Sequence, residues 1–295
     1  KIEKNLIILT GDVSTSAGLD RFKKKFPEKY LDVGIAEQNL IGIGAGLASE
    51  GMNVITTTFA PFQTMRCCEQ IKVNLGYMKH KVCMIGLASG LVLGTLGYTH
   101  CCIEDIGVLR PIPNLTIISP ADSGEAVKAV IASINHKNSV YIRLSGGANL
   151  DQIYEDDYEF KIGTSVTLKK GKDITIFATG TMVKVALECS KILTQSNIDA
   201  EVVNMHTIKP IDVDKINKSS KNSKLIVSIE EHNIMGGLGS AISECLVGIK
   251  NCPKQIFFGI NDTYSDGGEY SFLKSKFNLT PEAISKKIIS QLKEV

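Results

Sequence analysis

Tyr30-Leu-Asp-Val-Gly-Ile-Ala-Glu-Gln-Asn-Leu-Ile-Gly-Ile-Gly-Ala-Gly-Leu-Ala-Ser-Glu50, continued by Gly51-Met-Asn-Val-Ile-Thr-Thr-Thr58, is the stretch that decides the fold class. A short extended run, Tyr30–Val33, stops at a glycine. A helical stretch, Glu37–Glu50, follows it and leads into a second extended run, Val54–Thr58, rich in β-branched residues. Strand, helix, strand is the unit of a mostly parallel sheet covered on both faces. The same alternation extends outward. Strands are expected at Leu6–Leu9, Lys81–Leu87, Leu115–Ser119 and Val140–Leu144, and helices at Phe62–Tyr77 and Ser123–Asn135. The last of these opens at a capping sequence, Pro120-Ala-Asp-Ser-Gly-Glu125. The glycines and acidic residues of Gly146–Tyr158 interrupt the pattern and read as a surface linker. Beyond it, strands are expected at Ile174–Ala178, Ala200–Met205, Leu225–Ile229 and Ile256–Ile260, with helices at Val183–Thr194, Gly237–Ile249 and Pro281–Leu292. The expectation is an α/β protein of two parallel-sheet domains, residues 1–145 and 161–295, joined by a linker at 146–160.

Composition narrows the function. The chain has 295 residues, 43% of them hydrophobic, and a net charge of +2, enough for two cored domains and too little charge for a nucleic-acid footprint. Tryptophan is absent and aromatics are 6%, so a base-stacking platform is not expected either. The eight cysteines lie mostly in apolar stretches and form no CxxC pair. They read as free thiols in a reducing, cytoplasmic compartment, and His100-Cys101-Cys102 is not expected to bind metal. Lys1-Ile-Glu-Lys-Asn5 does not read as a signal peptide. Val82–Ile103 carries no charged residue and places Gly86, Gly90 and Gly94 four apart. Its polar residues and scarcity of bulky apolar ones favour a buried strand and a glycine-rich loop over a membrane span.

Three segments put chemistry-bearing residues where expected strands end, the edge at which open α/β sheets bind ligands. Glu37 follows the strand at Tyr30–Val33; taken alone it is also a good helix N-terminal residue. The small residues Gly42, Gly44, Ala45 and Gly46 behind it would let a second helix approach closely. Phe59 and Phe62, in Thr56-Thr-Thr-Phe-Ala-Pro-Phe62, are either core or a platform for a flat ring. His100, in Gly97-Tyr-Thr-His-Cys-Cys-Ile-Glu-Asp105, is either a proton shuttle or a surface residue.

In this order, these segments resemble the transketolase family. The likeness is carried by Gly34-Ile-Ala-Glu-Gln-Asn39, by Thr58-Phe-Ala-Pro-Phe62 with Arg66 and Glu69-Gln70, and by Thr99-His100 with Ile103-Glu-Asp105. Pro113-Asn114, Pro120-Ala-Asp122, Thr207-Ile-Lys-Pro-Ile-Asp212, Glu230-Glu-His-Asn233 and Gly236-Gly-Leu-Gly239 extend it over nearly the whole chain. The resemblance implies a pyrimidine-binding fold for thiamine diphosphate followed by the family's Rossmann-like C-terminal domain. The family's diphosphate-binding domain, with its Gly-Asp-Gly and paired asparagines, has no counterpart here; Gly11-Asp12-Val13 is not that motif. The chain is therefore similar to the second subunit of a split transketolase. Such a subunit would work with an N-terminal subunit that binds the diphosphate and holds Mg2+ or Ca2+, would self-associate through its pyrimidine-binding domain as an α2β2 assembly, and would have no membrane or nucleic-acid partner.

The resemblance also implies roles. Glu37, in an apolar pocket, would share a proton with N1′ of the cofactor's pyrimidine, so that the 4′-amino group can take the C2 proton. Phe62 would stack on that ring, with Phe59 lining the pocket, Ile35 packing nearby and Asp12 close to the cofactor. His100 would bind substrate and shuttle protons. A two-carbon ketol unit would pass from a ketose to an aldehyde sugar. The substrate positions depart from the family. Leu96 stands where relatives carry an aspartate, Ala88 where they carry a histidine and Gly146 where they carry an arginine. Ser16 is the remaining candidate for a phosphate-contacting hydroxyl. Arg143 either replaces the missing arginine or faces the sheet edge. These departures imply a non-standard sugar. The β chain of a 2-oxo acid dehydrogenase and a regulatory pseudo-subunit are the alternatives.

Overall fold

A computed structural model describes residues 5–147, 150–264 and 266–293. Residues 1–4 and 294–295, at the ends of the two expected domains, lie outside the described residues, as do residues 148 and 149 of the expected linker and residue 265. The first half of the chain builds β1 (Leu6–Thr10), β2 (Tyr30–Asp32), β3 (Asn53–Phe59), β4 (Val82–Ser89), β5 (Leu115–Ile118) and β6 (Ser139–Ser145). The second half builds β7 (Val166–Lys169), β8 (Ile174–Ala178), β9 (Ala200–Asn204), β10 (Thr207–Lys209), β11 (Leu225–Asn233) and β12 (Lys254–Ile260). They form a seven-stranded sheet in the order β10-β5-β6-β4-β3-β1-β2 and a five-stranded sheet in the order β12-β11-β8-β9-β7. Both sheets are parallel apart from one edge strand each, β10 against β5 and β7 against β9. This is the expected α/β architecture, and the central strands are buried on both faces, as covered parallel sheets require.

The two sheets are not independent. β10 leaves the second half of the chain and completes the first sheet, pairing Thr207 with Ile118 and Lys209 with Ile117. One apolar core joins Leu40, Ile41 and Met84 of the first half to Phe177, Met205 and Leu238 of the second. The helix Glu37–Ser49 lies on β3 because Gly44 leaves room there; a Cβ on it would stand 3.1 Å from Thr56 Cγ2. Gly42 and Gly46 of the same helix face open space.

The expected helix Phe62–Tyr77 is instead broken. Ala60–Gln63 is one helical turn, Met65–Cys67 a 3-10 turn, and Ile71–Tyr77 a π-helical stretch. The Thr64 hydroxyl bonds back to the Ala60 carbonyl at 2.7 Å and diverts the backbone after the first turn. Tight packing of Gly76 against Ile112 and the Pro113 carbonyl fixes the far end. The uncharged stretch Val82–Ile103 becomes β4 and a tight loop. No helix among the described residues is long and apolar enough to cross a membrane.

Candidate active site

The connection leaving β1 runs to β2 on one side, and the one leaving β3 runs to β4 on the other. Strand order therefore reverses between β1 and β3, and the crevice outside their carboxyl ends is the place where such sheets bind ligands. Glu37 lies in it. A Cβ on Gly11, just past β1, would sit 3.6 Å from Glu37 Cγ and 3.8 Å from the hydroxyl of Thr58, at the end of β3. Glu37 is 4% exposed and begins its helix, with backbone N–H groups of the first turn behind it.

Arg66 reaches Glu37 from the segment after β3. Its Nη1 donates to Glu37 Oε2 at 2.9 Å, and its guanidinium lies 4.0 Å from the centre of the Phe62 ring. The Gln38 side chain donates to the Arg66 carbonyl at 3.1 Å and anchors that segment. Glu37 thus faces a cation on one side, which corrects the expectation of a purely apolar pocket. Phe59, Phe62 and His100 gather around the same point. Their rings meet edge-on, with centroids 6.4 Å apart for Phe59–Phe62, 6.5 Å for Phe59–His100 and 5.4 Å for Phe62–His100. His100 Nδ1 pairs with the Thr99 hydroxyl at 3.0 Å, which leaves Nε2 for other partners.

Phe59 also lines a cleft of about 470 Å³, together with Ser16, Ala88 and Leu144. Ala88 adopts a left-handed backbone, φ +52°, at the end of β4. Asp12, also left-handed, is exposed beside the Glu37 crevice, and its backbone N–H donates to Asp32 Oδ1 at 3.0 Å. Ile35 and Leu96 do not join the cluster within this chain; they are 77% and 57% exposed. Gly146 lies at the cleft with φ +79°, and a Cβ there would stand 2.6 Å from Leu150 and 2.7 Å from Thr181. A side chain at that position would strain a left-handed backbone and require Leu150 and Thr181 to shift.

Arg143 is a correction. It does not face the sheet edge, because β6 is an inner strand, and it cannot reach a substrate, because it is 1% exposed. Its Nε donates to both oxygens of Asp105 at 2.9 and 3.0 Å, and its Nη2 to the carbonyls of Cys102 and Glu231. It is a buried structural cation. Arg66 is the residue whose role the sequence alone does not assign, because the helix that ends at Gln63 gives no regular spacing to relate it to Phe62.

The residues present fit a flat, polar heterocycle. Among the described residues Glu37 Oε1 has no donor, and the buried hydroxyl of Thr58 beside it has no partner. No three His, Cys, Asp or Glu side chains among the described residues converge as a cation site.

A family model for the transketolase pyrimidine-binding domain matches residues 1–149, and one for the transketolase C-terminal domain matches residues 163–284. The 6-deoxy-6-sulfo-D-fructose transketolase subunit SqwH of Clostridium sp. is 36% identical over 96% of this chain and 87% of its own. A subunit of the apulose-4-phosphate transketolase of Phocaeicola vulgatus is 35% identical over 99% of this chain and 93% of its own. A solved structure described as a split-gene transketolase, an inactive β4 tetramer, superposes with a TM-score of 0.88 at 34% identity, covering 98% of this chain and 92% of that one.

Proposed function

The chain belongs to the transketolase family as the C-terminal subunit of a split, thiamine diphosphate-dependent transferase, and from that premise we propose the role of each site residue. The bound cofactor supplies the carbanion centre that accepts and releases the ketol unit. Glu37 Oε1 would face the pyrimidine and share with its N1′ the proton that activates the cofactor. Phe62 offers its ring to that heterocycle, Phe59 closes the side toward the substrate cleft, and Asp12, with Ile35 once a partner covers it, completes the rim. Arg66 keeps the other oxygen of Glu37 fixed at 2.9 Å, so that Oε1 points one way. His100 holds and moves protons on the substrate through Nε2, while Thr99 orients its ring through Nδ1. The observation that carries this reading is the meeting of Glu37, Phe59, Phe62 and His100 at the switch point of the sheet.

The partner we propose is an N-terminal subunit that binds the diphosphate and holds Mg2+ or Ca2+, in an α2β2 assembly. The open glycine face of the helix Glu37–Ser49 supports self-association through the pyrimidine-binding domain. The domain limits we propose are residues 1–145 and 161–295, with 146–160 as linker. Eight free thiols support a cytoplasmic location. The relatives are named as transketolases, which favours this reading over the 2-oxo acid dehydrogenase β chain.

The substrates we propose lie outside the standard pentose phosphate pair. Leu96 cannot accept a hydrogen bond from a sugar hydroxyl, and leaving one unpaired costs about 1–3 kcal/mol. Ala88 and Gly146 offer no charge to a terminal phosphate. The relatives named for a sulfosugar and for apulose 4-phosphate accord with that. The test is a coupled assay of the complex reconstituted with its diphosphate-binding partner. Ketol transfer with a deoxy, keto or otherwise modified sugar supports the reading. A kcat/KM of about 10⁴ M⁻¹s⁻¹ or more with xylulose 5-phosphate and ribose 5-phosphate overturns the substrate assignment.

A further inference from the structure

The loop from Gly90 to Ile103 carries Leu96 and His100, yet what holds it comes from the C-terminal half of the chain. The loop closes through two backbone bonds, Gly90 N–H to the Cys102 carbonyl at 2.8 Å and Cys102 N–H to the Gly90 carbonyl at 2.9 Å. Next to this closure the Leu91 N–H donates to Glu231 Oε1 at 2.6 Å. Gly90 has φ +80°, and the Glu231 carboxylate fills the space where any Cβ would go. Glu231 is itself 1% exposed. Its second oxygen accepts from the Tyr270 hydroxyl at 2.6 Å and from the Thr181 hydroxyl at 2.9 Å. Its backbone carbonyl accepts from Arg143 Nη2 at 2.9 Å, and the same nitrogen donates to the Cys102 carbonyl at 3.1 Å. Both ends of the loop are thereby tied to one residue of β11. The crown is held from the same side: Gly268 N–H donates to the Gly94 carbonyl at 2.9 Å, and Tyr98 meets Tyr264 edge-on with centroids 4.9 Å apart.

A carboxylate has two oxygens and room for several donors, so one buried side chain can fix groups from three segments at once. Here those segments are the start of the loop, the turn after β8 and the helix Tyr270–Lys276. The far end of the loop then presses the His100 ring against Phe59 and Phe62. We infer that Glu231 is a positioning residue for substrate handling: it sets the loop that carries His100, and through it the C-terminal domain takes part in the reaction. The Glu37 crevice, built from β1, β3 and the helix Glu37–Ser49, receives nothing from Glu231 among the described contacts. Cofactor activation and substrate handling are therefore separable by this one residue.

The inference rests on the split-transketolase reading for its catalytic consequence and not for its structural one, so the test has two arms. In the full-length chain, hydrogen exchange read by mass spectrometry should show faster exchange across residues 90–103 in Glu231→Ala, with β4 and β8 unchanged. In the reconstituted complex, the same variant should lose about 10²-fold in kcat/KM for ketol transfer, as expected for a displaced catalytic group. Exchange of the C2 hydrogen of thiamine diphosphate should stay at the wild-type rate, and Glu231→Gln, which keeps an acceptor for Leu91, should recover most of the transfer. If Glu231→Ala does not fold, Tyr270→Phe removes the 2.6 Å bond to the second oxygen, with a longer one to the Thr181 hydroxyl, and should loosen the same amides. Wild-type protection of the loop in both variants overturns the inference. So does a Glu231→Ala complex that transfers normally, or one in which C2 exchange falls in step with transfer. Absence of C2 exchange in the wild-type complex would instead strike the underlying functional reading and leave the first arm to decide the role of Glu231.

Discussion

Replacing Glu37 by alanine should separate stability from chemistry. The structural loss is small. Arg66 has 42% of its side chain exposed, so water can solvate it once its partner is gone. A pair of that kind contributes about 0–1 kcal/mol. A carboxylate in the first turn of the helix Glu37–Ser49 adds about 0.3–1 kcal/mol through the helix dipole. Together these reach about 2 kcal/mol at most, small against the roughly 5–15 kcal/mol that holds a domain together. The chemical loss is large, because Glu37 is the buried carboxylate of the crevice, and the neighbouring Asp12 is exposed to water. Removal of a positioned acid or base typically costs about 10²–10⁴-fold. The assay is exchange of the C2 hydrogen of thiamine diphosphate in the reconstituted complex, followed by NMR after rapid quench, alongside calorimetric unfolding of the same samples. Exchange should slow by orders of magnitude while the unfolding midpoint moves by a few degrees. Unchanged exchange in an intact mutant complex would remove Glu37 from its assigned role, and collapse of the fold would show that the carboxylate is chiefly structural.

His100→Ala should lower ketol transfer by about 10²–10⁴-fold and leave cofactor affinity intact; loss of cofactor binding would move His100 into the cofactor pocket. Arg143→Met should destabilise the chain by about 3–5 kcal/mol in denaturant unfolding, because it leaves Asp105 charged and unpaired in the interior. A stable Arg143→Met chain with a raised KM would return Arg143 to the substrate. His232 is fully buried, donates from Nδ1 to the Asn233 carbonyl and accepts at Nε2 from Gly107 N–H, and burial pushes its pKa down to about 4. The unfolded chain takes up that proton near pH 6.5, so folding stability should fall as pH drops from 6.5 to about 4, by up to about 3 kcal/mol. His232→Gln should flatten that part of the stability–pH curve, and an unchanged curve would show that His232 titrates normally.

Where the sequence carries its own signal, the fold is legible in it. Tyr30–Thr58 shows strand, helix and strand in periodicity alone, and Pro281–Leu292 begins and ends where expected because Thr280 caps it and Pro281 opens it. Elements that depend on distant partners are not legible. β10 is three residues long and exists because β5, nearly ninety positions earlier in the chain, accepts it. The helix Val213–Asn222 buries only Ile216, Ser219 and Ser220, too little to show an apolar stripe. The break after Gln63 depends on a single back-bonded hydroxyl at Thr64. The same division holds at the site. Phe59 ends a strand, and Glu37, Phe62 and His100 each follow one, so topology brings them to one edge. Arg143 misleads because a charged residue in a strand looks available until its partner, Asp105, is seen on another segment. Arg66 is silent in the sequence for the converse reason, since its meaning lies in two contacts at once.

In the proposed function this chain holds the pyrimidine half of the cofactor and a partner holds the diphosphate half. Most of the charge of thiamine diphosphate lies on the diphosphate, whose cation takes oxygen ligands that the proposed partner would supply. Isothermal titration of thiamine diphosphate with Mg2+ into the chain, into the diphosphate-binding partner and into their equimolar mixture tests this directly. Tight, saturable binding should appear only in the mixture. Tight binding by the isolated chain would overturn the division of the cofactor between two chains.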